Sequence, residues 1–219
     1  MDSAADKEHL AEGYRFLMRC VGVLAFSLPF VVPLGDYLID GQGIRGSISA
    51  YYYGRTGGYF VGSLCAMALF FFSYNHRERP GFRSDKWMSK AATVAALGVA
   101  LLPTASNGGA ATGGAAVVAT LHLASAAILF GLLAAFCLYQ FTKTAAVTAE
   151  VTELRDKLMR VLRPHEREGT DGTGLKNIIY RVCGWIIVLC IALVAVSNAA
   201  GLGWLFWLEE VAVLAFGFS

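Results

Sequence analysis

Charged residues are scarce in this chain. Asp, Glu, Lys and Arg make up 16% of its 219 residues, whereas a soluble domain carries about a quarter. Hydrophobic residues make up 56%, and the mean hydropathy is +0.55. The net charge of +2 is too small to indicate nucleic acid as a partner. The composition argues against an ordinary soluble domain and predicts a membrane protein whose partners are membrane lipids.

Cysteine and histidine patterns typical of disulfide or metal sites are also missing. All the cysteines lie in or at the edge of apolar runs, and no CxxC motif is present. Zinc sites usually use two or three His or Cys ligands, and only one histidine, His122, lies inside an apolar run. We interpret the cysteines as small buried hydrophobic residues and predict neither a metal site nor a cofactor. The cysteines are Cys20, Cys65, Cys137, Cys183 and Cys190.

Six apolar runs dominate what is present. A membrane-spanning helix needs roughly 20 apolar residues, and several runs are shorter, so we expect their helices to extend into flanking Gly, Ser and Tyr. The runs predict an all-α fold, a polytopic transmembrane helix bundle with six spans in one domain of residues 1–219. No signal-peptide cleavage site is evident, so the first run is expected to direct its own insertion. The predicted spans are 16–38, 59–74, 88–103, 116–141, 178–198 and 204–218.

Basic residues are divided unevenly between the gaps that separate these runs. Every Lys and Arg except Arg45 and Arg55 lies before run one, between or flanking runs two and three, or between or flanking runs four and five. The positive-inside rule therefore places both termini in the cytoplasm. We expect the protein to lie in the inner (plasma) membrane of a bacterium.

Residues 142–176 form the one long polar connection, which we predict to be a cytoplasmic loop. Apolar residues recur in it at helical spacing and predict an amphipathic helix over Ala146–Leu162. This helix could lie along the inner membrane surface, or it could extend span four and pack on a neighbour. It could also dock an assembly partner. The stripe consists of Val147, Val151, Leu154, Leu158 and Val161.

Few ionisable residues lie inside the spans, where they are costly and usually functional. His122 and Glu209 each lie about six residues from the outer end of a span, or roughly 9 Å deep. We expect His122 either to bond Ser125 or a backbone carbonyl, or to handle protons or bind a ligand. Glu209 is expected to pair with His122 or Arg55. Its neighbour Glu210 points about 100° away around the helix, so we expect one of the two glutamates to face the bundle and the other an interface or the headgroups.

The loop 46–58, with the sequence GSISAYYYGRTGG, is the densest polar and aromatic cluster. Its tyrosines fit an interfacial belt, but a belt does not explain the serines and Arg55. Arginine binds phosphate or carboxylate through two parallel hydrogen bonds, so the loop could hold an anionic headgroup. We predict a ligand-binding site in the outer half of the membrane, made of Ser47, Ser49, Tyr52, Arg55, His122 and Glu209.

A hydrolase would need a nucleophile, a base and an orienting acid in contact. Serine, His122 and Glu209 supply those residue types, but no GxSxG motif is present, and we assign no catalytic residue. The favoured function is binding or transport of a small molecule, ion or lipid. The alternatives are an intramembrane lipid-modifying enzyme and a structural or assembly partner. A homo-oligomer is compatible with each of these functions.

Several short motifs carry a resemblance to known membrane proteins. Ser47-Ile48-Ser49 is followed by Tyr51-Tyr52-Tyr53, and later come Phe60-Val61-Gly62, Pro103-Thr104, His122 and Phe206-Trp207-Leu208-Glu209. The chain resembles a family of bacterial six-span membrane proteins of uncharacterised function. More distantly, its Ile-Ser loop is similar to that of the Frag/DRAM/Sfk-type membrane proteins. The resemblance implies a lipid-linked role, and it implies that the full protein continues beyond Ser219.

Overall fold

The computed structural model describes residues 4–41, 43–73, 83–105, 112–142 and 172–219, which are largely helical and include no strand. Each predicted apolar run lies on a helix, and the largest difference is at α1, which begins at Ala4. The amphipathic helix expected over Ala146–Leu162 lies outside the described residues. The elements are α1 (Ala4–Asp40), a 3₁₀ segment (Ser49–Tyr53), α2 (Gly57–Ser73), α3 (Arg83–Leu101), α4 (Gly114–Ala135) with a π-helical extension (Phe136–Phe141), α5 (Gly172–Ala200) and α6 (Leu205–Phe218).

Three helical stretches are long and apolar enough to cross a membrane: Arg19–Asp40, Gly114–Tyr139 and Lys176–Ala200. Helix α2 and residues Trp87–Leu101 of α3 are shorter apolar helices. Large apolar side chains, such as those on α2, α3 and α5, are exposed on the outside of the bundle. Extensive exposed apolar surface marks contact with a membrane or a partner. Together these features indicate a membrane-embedded helical protein.

The six helices form a closed ring. Each packs mainly against its neighbours in sequence, and α6 completes the ring by packing on α1. The Tyr53 hydroxyl donates to the Thr104 carbonyl at 2.8 Å, so the start of α2 meets the end of α3. At the opposite end the thiol of Cys137 on α4 lies 3.4 Å from the hydroxyl of Ser219, which follows α6. We call the end of the ring that carries residues 49–53 the loop end.

Two glycines shape the short turn that positions α6. Gly201 and Gly203 have φ values of 65° and 68°, a left-handed conformation that costs glycine little because it has no Cβ. The buried residue Ser197 stabilises this turn because its hydroxyl accepts a hydrogen bond from the backbone N–H of Trp204 at 3.1 Å. The turn returns the chain against α5 and brings the beginning of α6, with Glu209, to the loop end.

The crossing of α3 and α4 depends on a close backbone approach at Gly98. A Cβ added there would lie 2.8 Å from the Cβ of Ser125, which is shorter than van der Waals contact allows. Gly131 on α4 is exposed and would meet no atom within 4 Å. Small residues let membrane helices pack closely, so the two glycines should respond differently to the same substitution.

Gly98→Ala should therefore lower the free energy of unfolding by about 1–3 kcal/mol, the usual cost of overpacking. Gly131→Ala is the matched control and should be neutral or slightly stabilising, since Ala favours the helix. Reversible unfolding of both variants in mixed micelles with increasing SDS would measure the difference. Equal stability of the two variants would contradict the close crossing.

Candidate functional site

A cavity lies in the middle of the ring. It is bordered by α1, α2, α3, α4, α6 and the 3₁₀ segment, and the centre of a water molecule could occupy about 60 Å³ of it. In the part of the chain that the structure describes, its wall has three polar side chains, those of Ser49, His122 and Glu209. The remaining wall is apolar and includes Leu28, Phe60, Met67, Val99, Leu129 and Phe216. A mostly apolar pocket with a few polar groups is typical of small-molecule sites.

His122 is held in place by the end of α3. Its Nδ1 lies 2.7 Å from the Leu102 carbonyl oxygen, so of the two expected hydrogen-bond partners it has a backbone carbonyl. Pro103 disfavours a helical conformation at Leu102, so α3 ends at Leu101 and the Leu102 carbonyl is free to accept. A charged imidazolium is unfavourable in such an apolar site, so we assign the neutral tautomer, in which Nδ1–H donates to Leu102.

The other nitrogen of His122 has no hydrogen-bond partner in the part of the chain that the structure describes. The side chain is 3% exposed, and Nε2 is buried without a hydrogen bond from any described residue. In the neutral tautomer Nε2 carries a lone pair and is an acceptor. Unsatisfied buried polar atoms are rare in folded proteins. Because His122 lines the cavity, its free nitrogen is suited to bind a molecule inside it.

Glu209 is bonded differently from what the sequence predicted. Its Oε2 accepts the backbone N–H of Ile48 at 2.7 Å, instead of pairing with His122 or Arg55. Ile48 is the N-cap immediately before the 3₁₀ segment, where the first N–H groups have no partner within the helix. We expected one of the two glutamates to face an interface or the headgroups; Glu210 is buried, with Oε1 unpartnered among the described residues, and Glu209 is half-buried.

The serines of the loop mainly stabilise the loop itself. The hydroxyl of Ser47 accepts the backbone N–H of Ala50 at 3.1 Å and lies 3.2 Å from the hydroxyl of Ser49. Ser49 also lines the cavity, whereas Ser47 lies behind it. Tyr52 is half-buried and packs its ring edge-on against Tyr53, with 5.2 Å between the ring centres. Of the predicted site residues, Ser49, His122 and Glu209 therefore share one cavity.

A buried ion pair that the sequence did not single out holds the loop together. Asp36 is 1% exposed; its Oδ2 accepts from the Arg45 guanidinium at 2.9 Å, and its Oδ1 accepts the backbone N–H of Arg55 at 2.8 Å. One carboxylate thus ties both ends of residues 45–55 to α1. A Cβ at Gly54 would collide with Asp36, so the chain passes close to this carboxylate only with glycine there. The signal in the sequence was an acidic residue near the end of a span, followed by a loop holding the two exceptional arginines.

The two loop arginines have different surroundings. The Arg55 side chain is exposed and bonds Asp40 at 3.1 and 3.2 Å, and it does not line the cavity. Arg45 instead packs over the ring of Tyr51, 5.5 Å from its centre, and donates its backbone N–H to the Tyr51 hydroxyl at 3.1 Å. Burial raises the pKa of Tyr51, so the phenol stays neutral. Both arginines are therefore engaged by carboxylates outside the cavity.

Comparisons with known proteins leave the chain without an assigned relative: no family, curated protein or solved structure matches it.

Removing the charge of Asp36 should weaken the attachment of residues 45–55 to α1 and so destabilise the protein. In Asp36→Asn the Arg45 guanidinium loses its counter-ion, and we expect the free energy of unfolding to fall by roughly 3 kcal/mol, the lower end for a broken buried pair. Asp40→Asn, which removes the exposed partner of Arg55, should cost less than about 1 kcal/mol. SDS titration of both variants measures these values. Equal losses would show that the buried pair is no more important than the surface pair.

Proposed function

We propose that this protein is an integral membrane protein that binds a small molecule or lipid in its central cavity. The observation that carries the proposal is His122, which lines an apolar cavity and whose buried Nε2 has no hydrogen-bond partner among the described residues. Pockets for small ligands are mostly apolar and have a few oriented polar groups. Ser49 and Glu209 supply further polar atoms on the same wall.

We propose in addition that all six helices span the membrane, with both termini in the cytoplasm of a bacterial cell. Support comes from the closed ring, in which α2 and α3 meet at the loop end, and from the gaps that hold the basic residues. The loop end then faces outward. Cysteines introduced at Ser3, Thr112 and Thr170 in a cysteine-free background report the sidedness. An impermeant thiol reagent on intact cells should label Thr112→Cys alone, and labelling of the other two would refute the topology.

The resemblance to the Frag/DRAM/Sfk-type proteins suggests that the ligand is a lipid. The Ser47-Ile48-Ser49 motif that carries the resemblance is next to the cavity, where Ile48 and Ser49 belong to the wall. A lipid-binding role requires this motif to lie beside an apolar cavity. The same lining suits a membrane lipid that enters from the bilayer.

The hydrolase alternative has less support from the geometry. Nucleophile, base and acid must be within hydrogen-bond reach, but Nε2 of His122 is bonded neither to Ser49 nor to any other described residue. The acid Glu209 is bonded to the backbone of Ile48, and His122 is oriented by a carbonyl oxygen instead. These contacts favour binding over hydrolysis.

Filling the cavity tests the proposed function directly. Ala126 lines the cavity, whereas its neighbour Ala127 is exposed on the outside of the ring. Ala126→Phe should exclude the ligand, and Ala127→Phe should leave binding unchanged. Native mass spectrometry of the gently purified proteins would show the bound mass in wild type and Ala127→Phe only. The same bound mass in Ala126→Phe would contradict the proposal.

A further inference from the structure

The three polar side chains that line the cavity can each accept a hydrogen bond. Nε2 of His122 is an acceptor in the assigned tautomer, and Glu209 is already an acceptor toward Ile48. A serine hydroxyl can donate or accept. No Lys or Arg is among the described residues that line the cavity. The wall is therefore equipped to receive hydrogen bonds and lacks a cation that would neutralise an anion.

The nearest arginines do not correct this lack of positive charge. Arg45 is bonded to buried Asp36, and Arg55 is bonded to Asp40 on the surface. Moving either guanidinium to the cavity would leave a carboxylate without its counter-ion, which is most costly for the buried Asp36. An anionic headgroup in the cavity would itself be an unpaired buried charge beside Glu209. The pocket for an anionic headgroup that the loop sequence suggested is therefore disfavoured here.

The length of the cavity adds a second constraint. Its lining on α4 extends from His122 to Leu133, and its lining on α2 extends from Phe60 to Phe71. Eleven residues of helix rise about 16 Å, which is close to half of the ~30 Å hydrocarbon thickness of a bilayer. One leaflet is the depth that a lipid tail occupies. The polar atoms are at the loop end of this length, and the far end is apolar.

We propose that the cavity binds a lipid-like amphiphile with a tail of one-leaflet length and a headgroup that donates a hydrogen bond and carries no negative charge. An alcohol, amide or amine meets this description, whereas a carboxylate, phosphate or sulfate does not. The donor bonds Nε2 of His122, and the tail extends along α2 and α4 toward Phe71 and Phe216. This inference rests on the proposed function, because it specifies the ligand class of the same cavity.

Four probes with the same 18-carbon tail test the headgroup: oleyl alcohol, oleylamine, oleyl methyl ether and oleyl sulfate. The ether lacks a donor, and the sulfate is anionic at every working pH. Binding to delipidated wild-type protein in detergent is measured by native mass spectrometry, with Ala126→Phe as the blocked cavity. We expect the alcohol and the amine to bind about tenfold more tightly than the ether or the sulfate, the equivalent of one buried hydrogen bond.

The outcomes separate the two proposals. If Ala126→Phe does not weaken the binding of any probe, the cavity is not the site, and the proposed function fails together with this inference. If all four probes bind equally and Ala126→Phe blocks them, or if the sulfate binds best, the proposed function stands and the headgroup inference is overturned. In His122→Leu the alcohol and the ether should bind with equal affinity, and the variant should still bind the ether. The probe series in the wild type decides the matter even if this variant does not fold.

Discussion

The loop end of this protein depends on one buried carboxylate. Asp36 is 1% exposed, and a buried charge is tolerated only when it is paired and hydrogen-bonded. Its partners, the Arg45 guanidinium and the Arg55 backbone N–H, come from the two ends of residues 45–55. The same interaction that neutralises Asp36 therefore folds this segment across the end of the ring.

Further contacts spread from this anchored loop to the rest of the ring. The N–H of Ile48 reaches Glu209 on α6, and the Tyr53 hydroxyl reaches Thr104 just beyond α3. Ile48 and Ser49 thereby become part of the cavity wall. The polar atoms of the cavity are concentrated where the loop is, and the apolar helices form the remaining wall. This separation gives a bound amphiphile one orientation, with its headgroup toward the loop.

The helices could be predicted from the sequence because a membrane requires long apolar runs with satisfied backbone groups. The runs identified the described helices within a few residues, except at the start of α1. The carbonyl partner of His122 was also foreseeable, because a buried imidazole needs a hydrogen bond. Gathering His122, Glu209 and the loop at one end followed from counting residues along alternating spans. There His122 is bonded to Leu102 at the end of α3, and Glu209 is bonded to Ile48 of the loop.

The individual pairings could not be predicted in the same way. Arg45 and Arg55 are both loop arginines, and only the folded path shows that Arg45 is beside Asp36 while Arg55 reaches Asp40. The partner of Glu209 is a backbone N–H, which every residue but proline carries, so residue type gives no clue to it. This contact exists because α6 closes the ring on α1, and the order of helices in a bundle is not encoded in any single segment.

An experimental structure of the protein in lipid nanodiscs prepared from its native membrane would show whether the cavity holds an amphiphile. We expect continuous density inside the ring, with a tail along α2 and α4 and a polar end within about 3 Å of His122 Nε2. We also expect Asp36 to remain bonded to Arg45. A cavity collapsed by its own side chains, or density whose polar end lies away from His122, would show that the cavity does not bind such a ligand.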